Sequence, residues 1–171
     1  MNAPAIPENE ELRLAVLNAL QIMDTPLEER FERITRLLTK IFDVPMAGLS
    51  FVDENRQWLK SVQGSSVVEI PREYSFCTHT ILQSSVMVVE DALLDPRFSG
   101  NPLLKSGQGV RFYAGAPLTL DDGIRVGALC ICDIKPRKLS DDDIVILQDF
   151  ATTALNELKA RLDLVSQLKA S

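Results

Sequence analysis

The chain is 171 residues long, 46% hydrophobic, and carries 24 acidic against 18 basic side chains, a formal charge of −6. This length and apolar content suit one compact domain burying roughly 70% of its unfolded surface, and the acidic balance argues against nucleic acid or an anionic membrane as the main partner. No apolar run approaches the roughly 20 residues that span a bilayer, the opening MNAPAIPENEE lacks the segments of a secretory signal, and three widely spaced cysteines imply no disulfide framework, so the expected compartment is cytoplasmic.

Residues 1–8 hold two prolines and are expected to form a disordered tail, with a single domain over 9–171. Asn9 is placed as the cap of a helix from Glu10 to about Met23, along which Leu12, Ala15, Val16, Ala19, Leu20 and Met23 recur at helical spacing. Asp24-Thr25-Pro26 interrupts it. Thr25-Pro26-Leu27-Glu28 has the form of a capping box with proline at the first helical position. It starts a second helix through about Phe42, striped by Phe31, Ile34, Leu37, Leu38 and Ile41. Pro45 to Val52 and Gln57 to Val62 read as paired strands around the turn residues 53–56, with Phe51 and Trp58 as cross-strand neighbours. Gly64 to Tyr74 reads as an irregular connection. Ser75 caps a short helix over Phe76 to Gln83, and Val86 to Glu90 is a short strand. Asp91 to Val110 is a long loop with one helical turn, of the kind that forms a lid or binding loop.

The chain's most informative stretch is RFYAGAPLTLDDGIRVGALCICD, Arg111 to Asp133. Phe112 to Leu120 and Ile124 to Ile134 are apolar runs suited to strands buried on both faces. Asp122-Gly123 supplies a two-residue turn. That turn pairs Tyr113 with Cys132, Gly115 with Cys130 and Pro117 with Ala128 on one face. Phe112, Ala114, Ala116, Leu118, Leu129 and Ile131 share the other. The aliphatic face suits helix packing, while the face of Gly, Pro, Tyr and Cys leaves room for a cavity, unless Tyr113 fills it. Ser140 and Asp143 then cap a long helix from Asp141 to near Lys169. The hairpin-rich order predicts an α+β sandwich: a mostly antiparallel sheet with the terminal helices on its aliphatic face.

The stretches LQIMDTPLEERFERITRL, VDENRQWLKS, PREYSFCTHTIL, VVEDALLDPRFSGNPL, GVRFYAGAPL and GALCICD, in this order, resemble a GAF domain. The resemblance covers about residues 11–163. It is to the subgroup found N-terminal to diguanylate cyclase or histidine kinase domains. It implies a central antiparallel sheet with terminal helices on one face and a ligand cavity on the other. It implies a regulatory small-molecule sensor, signalling through its terminal helices and needing no catalysis or cofactor. Leu155, Leu158, Leu162 and Val165 are spaced as in a coiled-coil seam. They pack either on the N-terminal helix or in a parallel homodimer, in which 155–171 begins a signalling helix.

The same resemblance puts Cys77 and His79 on a helix over the cavity, near Tyr113, Cys130 and Cys132. The ligand-binding candidates are Phe76, Cys77, His79, Phe98, Arg111, Tyr113, Cys130 and Cys132. Arg111 stands as an anion-binding group or as a salt bridge tying the loop to the sheet. Cys-x-Cys with Cys-x-His is not a common zinc spacing. His79 as a haem ligand and a thioether-linked bilin are weaker matches still, since CTH is not the Cys-His pair of bilin-binding GAF domains. The chain also lacks the Asn-Lys-Phe-Asp-Glu pattern of cyclic-nucleotide GAF domains. The alternatives are a thiol enzyme resembling free methionine-(R)-sulfoxide reductase and a ligand-free dimerisation scaffold. The enzyme would need a nucleophilic cysteine in the loop before the first central strand, which Asn101 to Val110 does not contain.

Overall fold

The computed structural model describes residues 1, 3–105 and 109–171; of the long loop, 106–108 lie outside the described residues. Helix α1 spans Glu10–Ala19, shorter than its spacing predicts, and Asn9 makes no side-chain cap bond. Gln21 and Asp24 take left-handed φ of 49° and 58°, which turns the chain so that Ile22 drops into the core. The expected capping box does not form. Thr25 Oγ1 donates to the carbonyl of Ile22 at 2.5 Å and accepts from Lys60 Nζ at 2.8 Å, so it is committed elsewhere. Helix α2 therefore begins at Glu29 and runs to Ile41, with Glu28 extended before it and no side-chain cap.

Strands β1 (Met46–Val52) and β2 (Arg56–Gln63) form the first hairpin, and Phe51 pairs with Trp58 as expected. Asp53 Oδ1 closes the turn by accepting from the N–H groups of Asn55 and Arg56, both at 2.9 Å. The register slips between Leu49–Ser61 and Ser50–Leu59, leaving Lys60 as an extra residue in β2. Such a bulge sets two successive side chains on one face. Lys60 and Ser61 both turn toward the helices, while Leu59 and Val62 face the other way. The stretch expected to be irregular contains a strand, β3 (Glu69–Pro71), paired with β2. Ser75 caps α3 (Phe76–Thr80), accepting from Thr78 N–H. β4 (Met87–Val89), β5 (Phe112–Thr119) and β6 (Arg125–Asp133) complete a sheet of order β3-β2-β1-β6-β5-β4, every neighbour antiparallel.

The β5–β6 register agrees with the pairs Tyr113–Cys132, Gly115–Cys130 and Pro117–Ala128. The turn behind it differs from expectation. Leu120 N–H bonds to Ile124 O, so the loop is the three residues 121–123, with Gly123 at φ 76°. One extra residue in β6, between the partners of Leu118 and Thr119, restores the register.

Helix α4 (Asp141–Ala170) starts with the expected capping box between Ser140 and Asp143. α2 and α4 pack on the aliphatic face, where Phe31, Leu38, Phe51, Phe112, Leu129 and Leu147 are among the core. Leu158 is buried in that core, with Leu155 and Leu162 packed at its margin. Among the described residues, no helix is long and apolar enough to cross a membrane.

Candidate functional site

The face of the sheet away from α2 and α4 is divided in two. Over β5 and β6 it is filled by the protein itself. Tyr113 lies along its own strand, its hydroxyl where a β-carbon on Gly115 would stand only 2.2 Å away, so Gly115 is the space the ring occupies. Phe76 stacks between Phe98 and Tyr113, with ring centroids 4.2 and 5.1 Å apart. Cys77 Sγ, beneath them, lies 3.2 Å from the Tyr113 hydroxyl and accepts from Ser50 Oγ at 3.2 Å, and Thr80 Oγ1 lies 2.8 Å from the same tyrosine oxygen. His79 meets the edge of Phe98 at 4.8 Å. Cys130 is buried in this cluster and Cys132 packs at its border.

Seven of the eight candidate residues are thus gathered at one packed cluster. Arg111 is not among them. Its Nε and Nη2 donate to the two oxygens of Asp91 at 2.8 and 2.6 Å, the salt-bridge alternative, and Ala92 N–H bonds to Arg111 O, fastening the long loop to β5.

The electrostatics of the cluster suppress reactivity. Contact with Cys130 and then burial push the Cys77 thiol well above its ordinary value. The Cys132 thiol beside Cys130, together with burial, pushes Cys130 up as well, outweighing the opposing contact from Cys77. Burial likewise raises the Tyr113 phenol. At neutral pH all three stay protonated, and a protonated thiol is a poor nucleophile and ligand. Burial, then the nearby Arg97 guanidinium, lowers the pKa of His79. Among the described residues no group of three His, Cys, Asp or Glu is placed to hold a metal ion.

The open part of the face lies over β1 and β2. A hollow of about 450 Å³ is floored by Gly48 and Cys130, walled by Leu59, Val62 and Ile70, and bounded by the 64–67 loop and by Leu103 and Val110 of the long connection. A β-carbon on Gly48 would stand 2.9 Å from Leu59 Cδ2 and 3.6 Å from Cys130 Sγ. Of the eight candidates only Cys130 lines it. Sequence reasoning missed the others because it followed the β5–β6 hairpin alone. Carrying the alternation across to β1, where Gly48 pairs with Cys130 and Val62, would have found the floor. A second hollow, of about 420 Å³ between α1 and the β1–β2 turn, is lined by Asp24, Asp53 and Arg56, which are already paired with one another.

A profile of the GAF domain matches residues 26–158. The chain belongs to the GAF domain family. GAF domains are regulatory sensor domains. Over 152 residues, 88% of its length, the chain is 40% identical to a cyclic di-GMP phosphodiesterase of Pseudomonas aeruginosa, and it spans 26% of that protein. The GAF domain of an Acinetobacter phosphoenolpyruvate-protein phosphotransferase superposes with a TM-score of 0.65 at 13% identity, covering 90% of this chain and 95% of that one. Free methionine-R-sulfoxide reductase from Neisseria meningitidis superposes at 0.62 with 17% identity, covering 94% and 96%. At these identities the two structures share the fold with this GAF domain.

Proposed function

We propose that this GAF domain binds a small molecule in the hollow over β1 and β2 and passes its occupancy to α2 and α4, without catalysing a reaction. One observation carries the reading: β2 faces both ways at its bulge. Leu59 and Val62 line the hollow, while Lys60 between them, its side chain fully buried, reaches Glu28 at 2.8 Å. The other cation held by Glu28 Oε2 is Arg161 of α4, at 2.7 Å. A ligand that shifts β2 therefore acts on the carboxylate that ties α2 to α4, and it biases those helices by its differential affinity for their two arrangements. The protonated thiols of Cys77 and Cys130 support a binding role over thiol chemistry, and three free cysteines fit a reducing cytoplasm.

The output would be a homodimer through the terminal helices. Leu164 and Leu168 are exposed on the last turns of α4, and Leu155 and Leu162 are half-buried. The packed cluster of Phe76, Phe98 and Tyr113 favours the second reading, a scaffold without a ligand. The two are separated by Val62→Trp, which fills the hollow with a tethered ring. The sensor reading expects altered amide hydrogen exchange over 159–170 in this variant, and loss of that change when Glu28→Gln is added. Unchanged exchange in α4 would leave the scaffold.

A further inference from the structure

We infer that the hollow over β1 and β2 takes an uncharged, largely apolar molecule and excludes nucleotides, other phosphates and zwitterions. The inference rests on the binding role proposed above and names its ligand class. Among the described residues, no side chain lining the hollow carries a charge. Its walls are hydrocarbon, from Leu59, Val62, Ile70, Leu103 and Val110. Its polar side chains are the Cys130 thiol, held protonated, and the hydroxyls of Ser65 and Ser66 at the exposed rim.

The basic groups nearest in the chain that could serve an anion are engaged elsewhere. Lys60 belongs to β2 but points through the bulge to Glu28 on the other face. Arg56, at the start of the same strand, is shared among Asp24, Asp53 and Glu69. Arg111 and Arg97 each close a two-pronged pair with a neighbouring aspartate. A phosphate or carboxylate entering the hollow would lose its hydration and find no counter-charge, and a buried charge without a partner is strongly disfavoured. A ring or short alkyl body with one hydroxyl or carbonyl gains burial without that penalty. A volume near 450 Å³ is within the range of small-molecule sites, roughly 300–1,000 Å³.

The test uses a matched pair on the full chain at pH 7: 2-naphthalenemethanol, which is neutral, and 2-naphthoate, which carries a carboxylate on the same rings. Binding is followed by backbone amide NMR shifts at Gly48, Val62 and Val110. The alcohol should shift these amides, the carboxylate should bind at least tenfold more weakly, and Val62→Trp should abolish both. Leu59→Arg supplies the missing counter-charge and should reverse the order. Carboxylate binding as tight as alcohol binding in the unaltered chain would overturn the ligand class while leaving the hollow as a site. Silence at these amides from both probes would overturn the hollow itself, and the proposed sensor role with it.

Discussion

Tyr113 and Gly115 decide what the β5–β6 half of the face is. The ring is fully buried and lies where a side chain at 115 would be. Gly115→Ala should therefore destabilise the domain by about 2 kcal/mol in urea unfolding, the scale of an overpacked core site. Tyr113→Phe should not relieve it, because the ring carbon Cζ is itself only 2.7 Å from the added methyl position. In the parent background Tyr113→Phe should cost about 1 kcal/mol, the scale of a lost neutral hydrogen-bonding group. The sequence had left both outcomes open at this point, a cavity beside Gly115 or a tyrosine filling it. Neither residue type settles the choice, because the rotamer of Tyr113 depends on Phe76 and Phe98, which arrive from distant parts of the chain.

At the level of elements, strands were legible wherever an apolar run was long and bounded by turn residues, and the faces of β5 and β6 were sorted correctly down to the residue pairs. The turn behind them was not. A three-residue loop and a one-residue bulge preserve the same pairing as a two-residue loop, and hydrophobic patterning cannot distinguish them. Gly123 sits at φ 76° with nothing within 4 Å of its missing β-carbon. Gly123→Ala should then cost about 1 kcal/mol through the backbone alone, leaving the core unchanged, as methyl NMR shifts of Leu129 and Ile131 would report. β3 escaped notice for a related reason. Three residues with exposed, intermediate and exposed side chains carry no periodicity to read. The bulge at Lys60 was equally hidden, since its cause is the distant group at Thr25, Pro26 and Glu28 that receives the ammonium. The hollow is bordered by β3 and by β2 at its bulge, the two features that carried no periodicity, so it was missed although the long connection beside it reads as a binding loop.

Over the whole molecule, half-buried carboxylates join the helices to the sheet. Burial alone would raise the Glu10 carboxyl, but hydrogen bonds from Arg13 and Arg72 outweigh it and hold the pKa at about 2, from an ordinary 4.5. Glu28 is lowered too, its burial overcome by Lys60 and Arg161. A carboxyl with a depressed folded pKa binds fewer protons folded than unfolded. Its stabilisation is complete above the unfolded value and is lost as pH falls toward the folded one. For Glu10 that window runs from about 4.5 down to about 2. Glu10→Gln should lower stability by about 2–3 kcal/mol at pH 7, because Arg13 is buried and loses its charged partner. That deficit should shrink as the pH is taken through this window, which urea melts at several pH values would measure.

The sharing of Glu28 Oε2 by Lys60 and Arg161, with Arg30 3.6 Å from the other oxygen, has a mechanical consequence. If the far half of α4 swings away, Arg161 leaves, and the carboxylate can follow it only by abandoning a lysine that has no access to water. The ammonium would keep only the neutral oxygens of Thr25 and Pro26. If the carboxylate stays with Lys60 instead, Arg161 is the cation that loses its partner. In the proposed sensor that coupling would act as a catch: a small displacement of α4 breaks the pairing with Arg161 and gains nothing in return, so weak stimuli would leave the helix in place.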